Sequence, residues 1–283
     1  MTEQLAAPKP DSSLKTRLKS AAIFAPAVLV IIYFGGWGFT LMMAAAAALS
    51  VREWGDMLRK DHAYPSGLVT LAATLAALAV LVAHLLGGGV PVLVFALSLC
   101  FLIFAYNYAQ QGPSLRGLVG GFVYIVLSIA VMVWLRTGIE NGLFHFLTLL
   151  FIVWASDSFA YIFGRLIGGP KLAPQISPKK TWSGFVGSSL GAGAIAALMS
   201  CPWLSFGDEQ RALAGGWAYF ALGVFLGMVG QVGDLSVSYF KRKYNIKDTS
   251  NLIPGHGGIL DRIDALLLVA LVYGAFIAAM LAR

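Results

Sequence analysis

Charge and cysteine are both scarce in this sequence. Only 12% of the 283 residues are charged, and there are two cysteines. A soluble domain carries about twice that share of charge, so the composition excludes an ordinary soluble globular protein. Cys100 and Cys201 lie in or at the edge of apolar stretches and form no CxxC pair, so neither a disulfide nor a redox motif is indicated.

Several common signatures are also missing. No segment alternates apolar and polar residues over about ten positions, as the strands of a membrane β-barrel do. No GxxxxGK[ST] sequence is present, which excludes a Walker-type phosphate loop. The histidines are scattered, so no cluster of cysteine and histidine is available to hold zinc.

Apolar residues are abundant instead, at 58% of the chain, with a mean hydropathy of +0.78. Apolar stretches of about 20 residues recur, each long enough to cross about 30 Å of hydrocarbon as a helix. We therefore predict an all-α fold, a polytopic integral membrane helical bundle with about nine transmembrane helices. Only Gly35 and Gly36 separate the first two stretches, so a tight hairpin and a total of eight are the alternative. The nine stretches are 20–34, 36–50, 66–87, 89–106, 117–135, 143–164, 184–202, 215–237 and 263–281.

Basic residues are distributed unevenly between the two sides of such a bundle. With nine spans and a cytoplasmic N-terminus, every lysine and arginine except Arg136, Arg211 and Arg283 falls in an inside segment. This is the positive-inside bias of membrane proteins. It explains the net charge of +7 without a nucleic-acid partner, and it predicts a cytoplasmic N-terminus.

The two halves of the chain differ in polarity. We predict a polar cytoplasmic tail over 1–19 and a scaffold of N-terminal transmembrane helices over 20–150, where spans hold almost no ionisable group. Over 151–283 polar residues gather at span ends, which predicts a C-terminal catalytic transmembrane region. Its inside loops, 165–183 and 238–262, are rich in glycine, proline and basic residues, and loops on a rigid scaffold often carry chemistry.

Four carboxylates lie inside or at the edge of the C-terminal spans, all toward the inside face. A carboxylate within a span costs a few kcal/mol, so it normally faces a cavity or a partner. A helix cap or a buried salt bridge would explain any one of them, but less readily all four. Converging carboxylates and hydroxyls suit a hard divalent cation such as Mg²⁺. The four are Asp157, Asp234, Asp261 and Asp264.

The spacing of these residues predicts shared helix faces. Asp261 and Asp264 are three positions apart, which places them on one face of a helix. Two further sets combine a carboxylate, a hydroxyl and a cation at positions i, i+4 and i+8. These sets are Asp157, Tyr161 and Arg165, and Asp234, Ser238 and Arg242.

The two inside loops supply hydroxyls and cations. Together with the carboxylates they fit a metal-bound polyphosphate, although positive-inside charge or contact with anionic lipid would explain part of the basic content. Segment 176–184 reads ISPKKTWSG, and segment 239–248 reads YFKRKYNIKD. The residues concerned are Ser177, Lys179, Lys180 and Thr181 in the first, and Lys241, Arg242, Lys243 and Lys247 in the second.

A glycine-rich segment, PGHGG at 254–258, leads into the last apolar stretch. Glycine leaves backbone N–H groups unobstructed, and a helix N-terminus favours phosphate. A re-entrant turn with no ligand is the alternative for this segment.

These motifs resemble those of the phosphatidate cytidylyltransferases, the CDP-diacylglycerol synthases. The similarity runs in order and spacing over 238–264. Asp157-Ser-Phe-Ala-Tyr161 with Gly164, and SPKKT at 177–181, are also similar, although the family pattern has an acidic residue where Ser183 stands. The longer match consists of Ser238-Tyr-Phe-Lys241-Arg242, Lys247-Asp248, Pro254-Gly-His256-Gly257-Gly258 and Asp261-Arg262-x-Asp264.

The resemblance implies a membrane nucleotidyltransferase of phospholipid biosynthesis. Such an enzyme transfers the CMP moiety of CTP to phosphatidic acid and gives CDP-diacylglycerol and pyrophosphate. It implies Mg²⁺ as cofactor and leaves open whether K⁺ assists. It also implies a homodimer in a cytoplasmic (inner) membrane of the bacterial type, with the active site toward the cytoplasm.

The resemblance assigns the metal-binding carboxylates, and the other roles below are our hypothesis from the chemistry of the residues. The metal-binding carboxylates fall on Asp234, Asp261 and Asp264, while Asp157 either joins the metal shell or shapes the pocket. His256 either donates to a phosphate oxygen or supports its loop. The expected phosphate contacts are Lys179, Lys180, Lys241, Arg242 and Arg262, with Lys241 and Arg242 counted as catalytic. The expected substrate-orienting groups are Ser177, Thr181, Ser238, Lys247 and the backbone at Gly257 and Gly258.

Other functions fit less well. A secondary transporter would carry its carboxylates near mid-membrane, whereas these lie at span ends. A CDP-alcohol phosphotransferase would show a DG–AR–G–D–D pattern in one helix, and the sequence has none. A CTP-using lipid kinase of the dolichol kinase type is chemically closer, and residue types alone do not separate it. A purely structural membrane protein would not need the polar residues.

Overall fold

A computed structural model of the protein describes residues 14–59, 66–85, 116–201, 216–253 and 257–282. In that part of the chain there are eight helices and one two-stranded sheet. The helices are α1 (Leu14–Phe34), α2 (Gly36–Leu58), α3 (Ser66–Leu85), α4 (Arg116–Thr137), α5 (Gly142–Leu166), α6 (Trp182–Met199), α7 (Gly216–Lys243) and α8 (Leu260–Leu281). The strands are β1 (Lys171–Ala173) and β2 (Ser177–Thr181).

The predicted all-α membrane bundle is confirmed, but the count of nine spans is not. Each predicted span corresponds to a helix except 89–106, which lies outside the described residues. Within the described ranges, five helices (α4 to α8) are long and apolar enough to cross a membrane. The protein is therefore a multi-pass membrane protein. Helix α2 ends on a polar segment that includes Arg52, Glu53 and Asp56, so its composition differs from that of a simple span.

The boundaries of the elements differ from the prediction at three places. Helix α1 begins at Leu14, so the helix extends into the segment predicted as a polar tail. The predicted loop 165–183 contains an antiparallel hairpin, in which Lys171 pairs with Thr181 and Ala173 with Ser177. The predicted loop 238–262 is helical at both ends, because α7 extends to Lys243 and α8 begins at Leu260. The basic residues of these segments therefore have fixed directions.

Glycine and alanine allow the C-terminal helices to pack closely. Helix α6 packs against both α5 and α7, and α7 packs against α8. Gly223 and Gly227 lie one turn apart on the face of α7 that meets α6. A Cβ at Gly223 would lie 2.6 Å from the carbonyl oxygen of Ala192, and one at Gly227 would lie 3.0 Å from Ser189 Cα. Small residues spaced in this way allow close helix approach inside membranes.

Polar side chains also join distant helices. The Arg136 guanidinium at the end of α4 donates to the carbonyl oxygens of Ile32 and Tyr33, both at 2.8 Å, and so satisfies carbonyls at the end of α1 that lack helical partners. His145 on α5 and Tyr273 on α8 form a buried hydrogen bond of 3.0 Å. These contacts fix the helices that carry the polar residues described next.

Candidate active site

The hairpin brings Lys180 to the carboxylate of Asp234 on α7. Lys180 Nζ lies 2.6 Å from Asp234 Oδ2. This short distance is that of a close, charge-assisted contact between the ammonium and the carboxylate. The strand pairing shifts register across this part of β2, and the two lysines differ in environment: Lys179 is exposed, whereas Lys180 is half-buried against Asp234. The two predicted phosphate contacts are therefore separated.

The last turns of α7 present Asp234, Ser238 and Lys241 along one face of the helix. Ser238 Oγ donates to Asp234 Oδ1 at 3.1 Å. Arg242, predicted to continue this face, points elsewhere: its guanidinium donates to the carbonyl oxygens of Ile176 at 3.1 Å and of Ile246 at 3.0 Å. Lys241, and not Arg242 as predicted, therefore lies beside the carboxylates. Arg242 instead holds the hairpin turn against α7.

Lys241 is a buried cation, 7% exposed, between the two carboxylates of α8. Its ammonium donates to Asp261 Oδ1 at 2.9 Å and lies 3.9 Å from Asp264 Oδ2. Both aspartates are in the first turns of α8, which places them on the same side as the spacing predicts. Since a buried ion pair that loses one partner costs about 3–5 kcal/mol, Lys241 is essential to the charge balance of this cluster.

The second oxygen of Asp261 closes the loop before α8. Asp261 Oδ2 accepts hydrogen bonds from Thr249 N at 2.8 Å, from Thr249 Oγ1 at 3.1 Å and from Gly258 N at 3.0 Å. The Gly258 amide, predicted to bind phosphate, is therefore already used within the protein. Gly257 has a φ of +84°, a left-handed conformation that favours glycine. Both glycines fold the loop onto Asp261.

Asp157 on α5 belongs to the same charged region. Its negative charge is repelled by that of Asp234 and attracted by Lys180 and Arg262. Asp264 is likewise repelled by Asp234 and by Asp157. Three carboxylates that repel one another thus lie near two lysines. Tyr161 and Arg165, predicted on the Asp157 face, pair with each other at 2.6 Å instead.

The remaining predicted site residues lie outside this cluster or have other partners. Thr181 caps the N-terminus of α6, where its side chain accepts from Gly184 N at 3.1 Å. Ser183 donates to the carbonyl oxygen of Gly168, which fixes the same corner. Lys247 is exposed in the loop after α7, and Ser177 is half-buried at the start of β2. His256 lies outside the described residues.

Metal coordination is not preformed in the described part of the chain. No three Asp, Glu, His or Cys side chains there surround one point closely enough to hold a metal ion. Mg²⁺ usually takes only one or two carboxylates from a protein and completes its octahedron with water and substrate phosphates. The oxygen donors of Asp157, Asp234 and Asp264 therefore fit Mg²⁺ together with a polyphosphate, although they do not form a complete metal cage.

Sequence reasoning missed Glu53, which contacts this region from α2. Its carboxylate is 6% exposed and accepts hydrogen bonds from Ser250 and from the backbone amides of Ile259 and Leu260. The available signal was an acidic residue at the inside end of an apolar helix. The predicted span ends at residue 50, so the sequence-based prediction does not place Glu53 on the helix.

A groove lies beside the carboxylates. It has a volume of about 340 Å³, within the usual range for small-molecule sites. The hydroxyl of Tyr124 is buried there without a hydrogen-bond partner in the described structure, within electrostatic range of Asp264. The lining is mostly apolar and comes from α2, α4, α7 and α8. Its residues are Trp54, Gly117, Gly120, Gly121, Tyr124, Ser236, Val237, Phe240 and Leu268.

Comparisons with known proteins agree with this arrangement. A model of the "Cytidylyltransferase family" matches residues 15–280. The phosphatidate cytidylyltransferase of Brucella abortus biovar 1 (strain 9-941) is 33% identical over 265 residues, which cover 92% of this chain and 91% of the relative.

Two relatives from Rickettsia carry the same name. The phosphatidate cytidylyltransferase of Rickettsia bellii (strain RML369-C) is 43% identical over 166 residues, 58% of this chain and 70% of the relative. That of Rickettsia prowazekii (strain Madrid E) is 39% identical over 167 residues, 59% of this chain and 72% of the relative. The resemblance predicted from the motifs is confirmed: the chain belongs to the cytidylyltransferase family.

Proposed function

We propose that the protein transfers the cytidylyl group of CTP to phosphatidic acid, giving CDP-diacylglycerol and pyrophosphate. One observation carries the proposal: two lysines and three mutually repelling carboxylates gather at the ends of membrane helices. Lipid phosphates lie at that depth of a bilayer. The family of the chain supports the choice of CTP and phosphatidic acid.

The reaction needs charge neutralisation more than acid–base chemistry. An oxygen of the lipid phosphate attacks the α-phosphorus of CTP and forms the new P–O bond. The bond from the α-phosphorus to the oxygen that bridges to the β-phosphate breaks, and pyrophosphate leaves with its electron pair. Because the attacking phosphate is already anionic, no general base is required. Preorganised cations at the reacting phosphates then supply most of the rate enhancement.

Lys180 and Lys241 are the cations best placed for this task. Lys180 is held by Asp234, and an ammonium group has three N–H donors, so donors remain for a phosphate oxygen. Lys241 donates to Asp261 and keeps its remaining donors for substrate. Ser238 orients Asp234. Arg262, exposed on the first turn of α8, is available to the outer phosphates of CTP.

Mg²⁺ is the proposed cofactor, bound by one or two of the carboxylates Asp264, Asp234 and Asp157, with substrate phosphates and water as its other ligands. When bound, Mg²⁺ neutralises triphosphate charge and orients the phosphates for in-line transfer. The donor chemistry supports this choice, because carboxylate oxygens with incomplete compensation suit a hard cation. Asp261 stays a predicted ligand from the family pattern. To bind metal, Asp261 would have to exchange a contact with Lys241, Thr249 or Gly258, just as Asp234 would have to exchange one with Ser238 or Lys180.

The groove beside Asp264 suits an acyl chain of the lipid substrate. Its lining is almost entirely apolar, and it adjoins the carboxylates at the same end of α7 and α8. Tyr124 offers a buried hydroxyl there that can donate to an ester or phosphate oxygen of the lipid. The headgroup would then reach the lysines while the chain stays in an apolar environment.

Three further proposals rest on the charge distribution and the family pattern. The protein lies in the inner membrane of a bacterial-type cell, with its N-terminus and the site facing the cytoplasm. Labelling of engineered cysteines in intact cells would test this orientation. The protein forms a homodimer, which light scattering in detergent would test. K⁺ assists turnover, which replacement of K⁺ by Na⁺ in the assay would test.

The direct experiment uses purified protein in detergent with CTP, Mg²⁺ and phosphatidic acid. The proposal predicts pyrophosphate release and CDP-diacylglycerol, identified by mass spectrometry. A lipid kinase would release CDP instead, and that result would overturn the proposal. Lys180→Met should lower kcat far more than Lys179→Met, because Lys180 contacts Asp234 whereas Lys179 is exposed. Equal effects of the two variants would contradict the proposed role of Lys180.

A further inference from the structure

Glu53 is a buried carboxylate that the proposed reaction does not use directly. It lies near the end of α2 and is 6% exposed. Among the described residues, no lysine or arginine forms an ion pair with it. Removing a carboxylate from water costs several kcal/mol unless other groups replace its hydration. The partners of Glu53 must therefore be strong hydrogen-bond donors.

Within the part of the chain that the structure describes, four donors surround Glu53, and all come from the C-terminal region. Its Oε1 accepts from Ser250 Oγ at 2.6 Å and Ile259 N at 3.0 Å. Its Oε2 accepts from Thr249 Oγ1 at 2.9 Å and Leu260 N at 2.9 Å. The two backbone amides belong to the N-terminus of α8, which has no side-chain cap of its own. Such amides lack helical acceptors, and the helix dipole there favours a negative charge.

Thr249 connects Glu53 to the charged cluster. Its hydroxyl oxygen lies 2.9 Å from Glu53 Oε2 and 3.1 Å from Asp261 Oδ2. One hydroxyl proton thus serves two carboxylates, so a shift of either carboxylate changes the hydrogen bond available to the other. Asp261 in turn accepts the hydrogen bond from Lys241. A continuous chain of contacts therefore runs from α2 to the lysine beside the proposed phosphate site.

We infer that Glu53 is a positioning residue for the proposed reaction. It anchors the loop and the first turn of α8 so that Asp261 holds Lys241 against the phosphates. The inference rests on the proposed function, and it gives the N-terminal half of the chain a role in transfer. Groups that hydrogen-bond a metal ligand typically contribute about 10–100-fold to activity, and we expect a similar effect for a group that orients Lys241 through Asp261.

Glu53→Gln tests the inference with almost no change in shape. Each carboxylate oxygen accepts one backbone amide, so either orientation of the glutamine places its NH₂ against Ile259 N or Leu260 N. We expect kcat per folded molecule to fall about 10–100-fold, while KM for CTP stays near that of the unchanged protein. Glu140→Gln is the matched control, because Glu140 is exposed at the turn between α4 and α5.

A second pair of variants separates positioning from simple helix capping. Thr249→Val and Ser250→Ala each remove one hydrogen bond to Glu53, but only Thr249 also contacts Asp261. Positioning predicts that Thr249→Val lowers kcat and Ser250→Ala does so much less. In the double variant of Glu53→Gln and Thr249→Val, the losses should be less than multiplicative, because contacting residues are coupled. If Glu53→Gln fails to fold, the comparison of Thr249→Val with Ser250→Ala still separates positioning from capping.

Three outcomes would overturn the inference. They are an unchanged kcat per folded molecule in Glu53→Gln, equal losses in Thr249→Val and Ser250→Ala, and multiplicative losses in the double variant. Any of these would make Glu53 only a cap that stabilises α8. Absence of turnover in the unchanged protein would overturn the proposed function as well, so the two failures are distinguishable.

Discussion

Gly258→Ala separates two interpretations of the glycine-rich segment before α8. If the Gly258 amide binds phosphate, alanine should mainly weaken CTP binding. In the structure the amide instead donates to Asp261, and a Cβ at this position would lie 2.2 Å from Thr249 Oγ1 and 2.4 Å from Glu53 Oε2. The substitution should therefore act on the stability of the network.

The magnitude follows from the contacts that must give way. Each of the two oxygens would have to move by about 1 Å to reach ordinary contact distance. Overpacking of this kind costs about 1–3 kcal/mol, and a lost hydrogen bond to a charged group costs about 1.5–3 kcal/mol. Because the losses overlap, we expect the free energy of unfolding to fall by about 2–4 kcal/mol.

Denaturation in detergent micelles measures this change, and steady-state kinetics on the folded fraction measures KM for CTP. Gly38→Ala is the control: Gly38 is helical and a Cβ there meets nothing within 4 Å, so alanine should stabilise slightly through helix propensity. If Gly258→Ala keeps its stability and raises KM for CTP, the phosphate-binding interpretation is correct and the network described here does not govern this residue.

Three further predictions concern charge, metal and lipid. Lys241→Met should abolish turnover and lower the free energy of unfolding by about 3–5 kcal/mol, because it leaves buried carboxylates without their cation. Lys243 is exposed, so Lys243→Met should do neither. Thermal denaturation and the CTP assay check this prediction, and an active Lys241→Met variant would contradict it. Chelation of divalent cations should stop pyrophosphate release and added Mg²⁺ should restore it, so full turnover in chelator would contradict the metal proposal. Gly120→Leu should raise KM for long-chain phosphatidic acid about tenfold relative to a short-chain form, which corresponds to the loss of about two buried CH₂ groups. Gly120 lines the groove, and nothing lies within 4 Å of its Cβ position, so leucine would fill space there. Gly38→Leu should not have this effect, and an equal rise of KM for both lipids would exclude the groove as the acyl-chain site.

Much of the bundle could be predicted because membrane spans depend on local composition. Lipid requires every backbone polar group to be satisfied within a helix, so a long apolar stretch fixes both the element and its approximate length. The ends were harder to predict. Polar residues such as those at 238–243 and 14–19 continue a helix beyond its apolar core, and hydropathy does not detect that extension.

The candidate site was predictable in its residue types and less so in its pairings. Spacing along one helix placed Asp261 and Asp264 on one side, as the structure has them. Spacing alone did not show that Lys241, rather than Arg242, turns toward them. That choice depends on the hairpin turn at Ile176, which binds the Arg242 guanidinium.

The role of Glu53 required the tertiary structure. Its partners Thr249 and Leu260 are about 200 positions away in the sequence. No periodicity or local motif reports a contact of that separation. Likewise, the ion pair of Lys180 with Asp234 joins residues 54 positions apart in the sequence, so local spacing does not reveal it.

The most direct test of the central claim follows the phosphorus atoms of CTP. The purified protein would receive phosphatidic acid, Mg²⁺ and CTP labelled with ³²P at either the α- or the γ-position. Cytidylyl transfer predicts that the α label enters the lipid and the γ label leaves as pyrophosphate. Label from the γ-position in the lipid, or no labelled lipid from either form, would contradict the account.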